Sequence, residues 1–113
     1  MSAFSDNSHA RFWVKAGISA NTIYSSFNVT SVTNDSTGVL TVTIATDFAS
    51  ANWCCGVCVE NNDATIDAVA DGQMAMIANA SQAAGSVQVL CKNDDGTAAA
   101  NPTTWHVWGF GSQ

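Results

Sequence analysis

The stretch NWCCGVCVEN, residues 52–61, places three cysteines within five positions of an apolar run. Thiols grouped in this way hold zinc, exchange disulfides or pack as small hydrophobes, and their spacing decides among these. In a strand alternate residues share a face, so Trp53, Cys55, Val57 and Val59 make the core side and Cys54, Gly56, Cys58 and Glu60 the other. A structural zinc needs four converging ligands, and its cysteine pairs usually sit in a turn, not along an extended segment. Cys54, Cys58 and Cys91 with either His9 or His106 reach that number, but nothing in their spacing demands it. The expectation is four reduced thiols that pack in the core or at an interface, with no metal and no cofactor.

Other groups offer less. Asp63, Asp67 and Asp71 recur every four residues and would line one face of a helix as a calcium site; a solvated loop explains them as well. Asp94-Asp95-Gly96 resembles the start of a calcium loop but lacks the later ligands and the closing Glu, so a hairpin turn is the simpler reading. His9 and His106 have no cysteine or serine in a nucleophile setting, and no G-x-S-x-G, phosphate-binding or dinucleotide-binding glycine motif occurs. Catalysis has no foothold in the motifs. Four tryptophans, Trp13, Trp53, Trp105 and Trp108, could stack on a carbohydrate, but each lies in a strand-like run, and core or subunit-interface packing is expected for at least three of them.

The elements that must position these residues are strands. Short apolar or alternating runs are punctuated by turn residues at intervals of about ten, the pattern of an antiparallel β-sandwich, jelly-roll or Ig-like, of about seven or eight strands. ARFWVKAG opens the fold; SFNVTSVTND and VLTVTIAT flank an Asn34–Gly38 turn as a hairpin; NWCCGVCVEN, SVQVLCKN and TTWHVWGFG follow. The alanine-rich segment from Asp63 to Ala84 holds either a helical turn at Ala64–Ala70 or, in QMAMIANA, a further strand. Pro102 falls in the loop before the last strand, where its missing N–H breaks no ladder bond. Residues 1–9 read as a flexible arm and 10–113 as a single domain. The expected core includes Trp13, Val29, Val42, Ile44, Val57, Val89 and Val107. On the last strand Trp105, Val107 and Gly109 face one way and His106, Trp108 and Phe110 the other. Aromatic bulk on both faces of one strand points to Trp105, Trp108 and Phe110 as a candidate interface or glycan-stacking set.

Of the 113 residues 47% are apolar and 11% charged, too hydrophobic for disorder. Nine acids against three bases argue against nucleic acid, whose phosphates require clustered Lys and Arg. No apolar run approaches a membrane span, and the N-terminal residues lack the basic and apolar regions of a secretory leader. The expectation is synthesis in a reducing cytosol, which disfavours disulfides and leaves the sequons at Asn28, Asn34 and Asn79 as chance matches.

The first half of the chain resembles a module of bacteriophage virion proteins, tail fibres above all. The elements that carry the resemblance are Ala10, Arg11, Trp13 and Val14, then Ser26 to Gly38 (SFNVTSVTNDSTG), the alternating run Leu40 to Thr46, and Ala51-Asn52-Trp53. A weaker similarity continues through GSVQVLCKNDDGTAAANPTTWHVWGFG to the end, and about two thirds of the chain is covered well. Lys15-Ala16-Gly17 departs from the asparagine-rich turn of the module, and the cysteine strand replaces one usually built of valine and alanine. The resemblance implies a structural role and carries no catalytic residues. A chain of this size would be a stand-alone tail-fibre, spike or capsid-decoration subunit, assembled in the host cytoplasm onto the virion, most simply as a homotrimer. Two other classes compete with this reading. A glycan- or receptor-binding module of the virion would display Trp53, Trp105 or Trp108 on one concave face, and a glycan hydrolase would need two carboxylates about 5–10 Å apart in a cleft.

Overall fold

In the computed structural model, which describes residues 9–62, 72–96 and 99–113, the described residues form eight strands and no helix. They are β1 (Phe12–Ala16), β2 (Ile23–Phe27), β3 (Val29–Ser36), β4 (Val39–Ile44), β5 (Cys54–Glu60), β6 (Gln73–Ile77), β7 (Ser86–Asn93) and β8 (Thr104–Phe110). Two antiparallel four-stranded sheets, ordered β2-β1-β8-β5 and β3-β4-β7-β6, make the expected β-sandwich. In an Ig fold the first and last strands lie in different sheets, whereas here β1 and β8 are neighbours in the middle of one. The QMAMI run is strand β6; the proposed helical turn at 64–70, the aspartates 63, 67 and 71, and most of the N-terminal arm lie outside the described residues.

Alternation of side chains puts one face of every central strand into a single core. Phe12, Val14 and Ala16 of β1 are buried, as are Leu40, Val42 and Ile44 of β4, Val87, Val89 and Cys91 of β7, and Trp105 and Val107 of β8. At one end Phe48 and Trp53 stack with centroids 4.5 Å apart and planes 8° apart, and Phe12 meets Trp53 edge-on at 5.5 Å. This aromatic plug requires a bare backbone beside it, because a Cβ on Gly109 would strike Phe12 and Trp53, and one on Gly111 would sit 2.7 Å from the Trp53 Cβ. The Trp53 indole N–H donates to the Ala83 carbonyl at 2.8 Å, tying the plug to the β6–β7 connection.

The residues of SFNVTSVTNDSTG turn out to shape backbone. At Asn28, where the chain leaves the first sheet for the second, φ is +57°, a conformation that Asn tolerates better than most residues. Its side-chain amide donates to the Arg11 carbonyl at 2.9 Å and accepts the Thr46 N–H at 2.8 Å, so one residue clamps β1 to the end of β4. Asn34 and Asn21 exchange backbone-to-side-chain bonds of 2.7 and 3.1 Å, holding the β1–β2 turn against β3. In that turn Ala20 and Asn21 both have positive φ, as a type I′ hairpin turn requires. Gly38, at φ +70°, packs so closely under the Cys91 and Ala100 backbone that no side chain fits. The Asp94-Asp95-Gly96 segment is a turn, closed by the Gly96 N–H on the Asn93 carbonyl at 2.9 Å and followed by a Lys92–Ala99 bridge.

Two sequence expectations about the core are corrected. Trp13 is 42% exposed: it shares strand parity with Lys15, so burying Phe12, Val14 and Ala16 turns it outward. Trp53 and Trp105 are in the core; Trp13 and Trp108 lie on the outer face of the first sheet. Val29 and Val57, also expected inside, are partly buried and pack against the core from its margin.

Candidate binding face of the first sheet

The outer face of β2-β1-β8-β5 is where side chains able to make contacts converge. Residues opposite one another in adjacent strands share a face, so the register builds two rows across the sheet. One runs Phe27, Trp13, Trp108, Gly56, and the next runs Ser25, Lys15, His106, Cys58. Rows two residues apart are separated by about 7 Å. Phe27 is 53% exposed and Trp13 42%, and Tyr24, at the bulge that ends the β1–β2 register, is exposed as well.

Gly56 determines how Trp108 lies. The nearest atoms to a Cβ placed on Gly56 are Cε2, Nε1 and Cζ2 of Trp108, at nearly equal distances and all far inside contact range. The indole therefore rests across the glycine, with one ring face on β5 and the other outward. Between it and Trp13 lies a shallow groove of about 320 Å³, whose polar lining is Lys15, Ser25 and His106.

Electrostatically this face departs from the rest of the molecule. The chain carries a net charge of −6, yet within the strands of this sheet the only carboxylate is Glu60, against Lys15 and His106. Glu60 ionises more readily than an ordinary glutamate, first because the Thr104 hydroxyl hydrogen-bonds to it and then because Lys15 and His106 stand nearby.

Of the three residues singled out from the last strand, Trp108 and Phe110 do lie on this face, Phe110 opposite Cys54 in the row beyond Trp108. Trp105 does not: it is 1% exposed, because it shares parity with Val107 and points between the sheets. Trp53 is equally unavailable as a stacking surface. Trp13 was named among four possible stacking tryptophans but expected in the core; the residues that sequence reasoning missed are Lys15, Ser25, Phe27 and Gly56. The parity of Trp13 with Lys15 was a usable signal, while Gly56 becomes visible only through its register with Trp108.

The cysteines divide by face. Cys54 and Cys58 are exposed on β5, Cys55 is partly buried on its inner side, and Cys91 is buried in the opposite sheet. Positions four apart on a strand are about 13 Å from each other, so Cys54 and Cys58 cannot share an ion or a disulfide. Among the described residues no three His, Cys, Asp or Glu side chains come together as a metal site. Burial, and secondarily the neighbouring Cys54, pushes the Cys55 thiol up to about 12, and burial also raises Cys91. No family model, no curated protein and no solved structure matches this chain.

Proposed function

We propose that this chain is a bacteriophage virion structural subunit, of tail-fibre, spike or capsid-decoration type, that works by contact and not by catalysis. The observation that supports the reading is the row Phe27, Trp13, Trp108 laid across the open face of the first sheet. Contiguous exposed aromatics on a two-layer sandwich mark a surface made to be covered. The edge of that sheet adds to it: β2, IYSSF, is almost wholly exposed and carries no charge or proline, the features that normally keep an edge strand from pairing with another chain. These two surfaces support self-association; that it is a trimer of identical chains, with other virion proteins as further partners, rests on the resemblance to phage fibre and decoration proteins. Sedimentation at micromolar concentration tests this, the expected result being a species of three times the chain mass with Trp13 and Trp108 shielded from acrylamide. A monomer with both indoles freely quenched sinks the assembly reading. Labelling of purified particles with an antibody to the chain tests the virion assignment separately.

One observation favours a second reading, a host-surface glycan-binding module of the virion. The groove lined by Trp13 and Trp108 is also lined by Lys15, Ser25 and His106, polar groups that a purely adhesive subunit face does not need.

A further inference from the structure

We infer that the groove on the first sheet binds a pyranose that bears a carboxylate, stacked on Trp108 with its acid group toward Lys15 and His106. The inference rests on the glycan-binding reading and specifies its ligand. The platform comes first: Trp108 lies across Gly56 and turns one indole face outward. The negative face of an aromatic ring attracts the positively polarised C–H groups of a sugar face, and a ring held against the sheet loses little freedom when it is covered. Trp13, opposite Trp108 in the register, walls the groove.

Charge selects among sugars. Lys15 and His106 are direct register partners on this face, close enough for both to reach one ligand group. The chain has only three Lys or Arg and two His against nine acids, so setting two of its five basic side chains opposite each other beside two indoles is not the dilution expected of an acidic surface. An anion over the pair gains a charge-assisted hydrogen bond from the Lys15 ammonium and a second bond from a ring N–H of His106. The row holding Lys15, His106 and Ser25 is about 7 Å from the aromatic row, within reach of a carboxylate on a sugar stacked over Trp108. Glu60, the one acid in these strands, is opposite Thr104 in the row beyond His106 and attracts both Lys15 and His106 from that side, so a ligand carboxylate approaches them from the side of Ser25 and the aromatic row. A nucleic acid is disfavoured because a polyphosphate needs many cations, and this face offers one lysine and one histidine.

Uronates and sialates share this chemistry, and a binding titration followed by tryptophan fluorescence and calorimetry separates them. The probes are trigalacturonate, 3′-sialyllactose, and the neutral controls maltotriose and lactose. The expected result is binding of at least one acidic probe at least tenfold tighter than its neutral control. Lys15→Gln should cut that preference at least fivefold. Trp108→Ala should abolish binding of both kinds, and Trp108→Phe, which keeps a ring over Gly56, should retain part of it. Equal affinity for acidic and neutral probes, no binding by a folded protein, or an acidic preference that survives Lys15→Gln would overturn the inference. Indoles shielded from acrylamide in a trimer that binds no probe would also overturn it while leaving the assembly reading intact.

Discussion

At the residue scale, Gly56 is the position on which the binding face turns. It has an ordinary negative φ or an extended backbone, so the need for glycine there is steric: the Trp108 indole fills the place of a side chain. Gly56→Val should destabilise the protein by about 1–3 kcal/mol, as overpacking does, and should shift tryptophan emission because the ring is lifted from the sheet; urea unfolding and fluorescence measure both. Cys55 makes a pH prediction. Its folded value, about 12, lies above the ordinary 9.0, so above pH 9 the unfolded chain releases a proton that the folded chain keeps. Stability is therefore fully present below about pH 9 and declines as pH rises from there toward 12. Urea midpoints measured from pH 7 to 10.5 should be level and then fall, with a shallower fall in Cys55→Ala. Thiol titration at neutral pH should modify Cys54 and Cys58 promptly, and Cys55 and Cys91 only on unfolding.

At the scale of elements, the crossing from β2 to β3 depends on one amide. Asn28 joins a left-handed backbone to two hydrogen bonds that span β1 and β4. Asn28→Ala should cost about 1–3 kcal/mol, from the loss of two hydrogen bonds to one part-buried and one exposed backbone group and from a left-handed φ that Ala tolerates poorly, whereas Asn28→Gly, which keeps the conformation at no steric cost, should lose less. The difference between the two variants in a denaturation experiment isolates the backbone share. The uncharged edge β2 makes a separate prediction. Ser26 pairs with Val14 and faces the inner side of its strand, so Ser26→Lys installs the inward charge that natural edges use to refuse partners. It should shift the sedimentation profile toward monomer without lowering the unfolding free energy by more than about 0.5 kcal/mol, as expected of an exposed site.

At the scale of the molecule, both sheets bury one continuous cluster, so neither should persist alone. Leu40, fully buried at the centre of the second sheet, touches the common core, and Leu40→Ala should cost about 2–5 kcal/mol, a large share of the 5–15 kcal/mol typical of a domain. Far-ultraviolet circular dichroism, reporting both sheets, and fluorescence of Trp105, at the core of the first, should show coincident transitions in the parent chain and in the variant. Separate transitions would mean that the sheets fold as two units.

The strands themselves, their approximate bounds and the two faces of each were legible in the sequence, because a period of two is a local property of the chain. Trp53, Val42, Val89 and Val107 were placed correctly on that basis, and so were the outward Cys54 and Cys58. What local alternation cannot say is which face of a two-sidedly apolar strand turns toward the other sheet. That is how Trp13 was expected inside and Trp105 offered as surface, although Lys15 and Val107, their parity partners, each held the clue. The strand order, the clamp of Asn28 between β1 and β4, and the meeting of Gly56 with Trp108 across fifty residues of chain belong to tertiary structure alone. Each depends on register between segments far apart in sequence, and register is settled by the whole core packing at once, not by any segment within it.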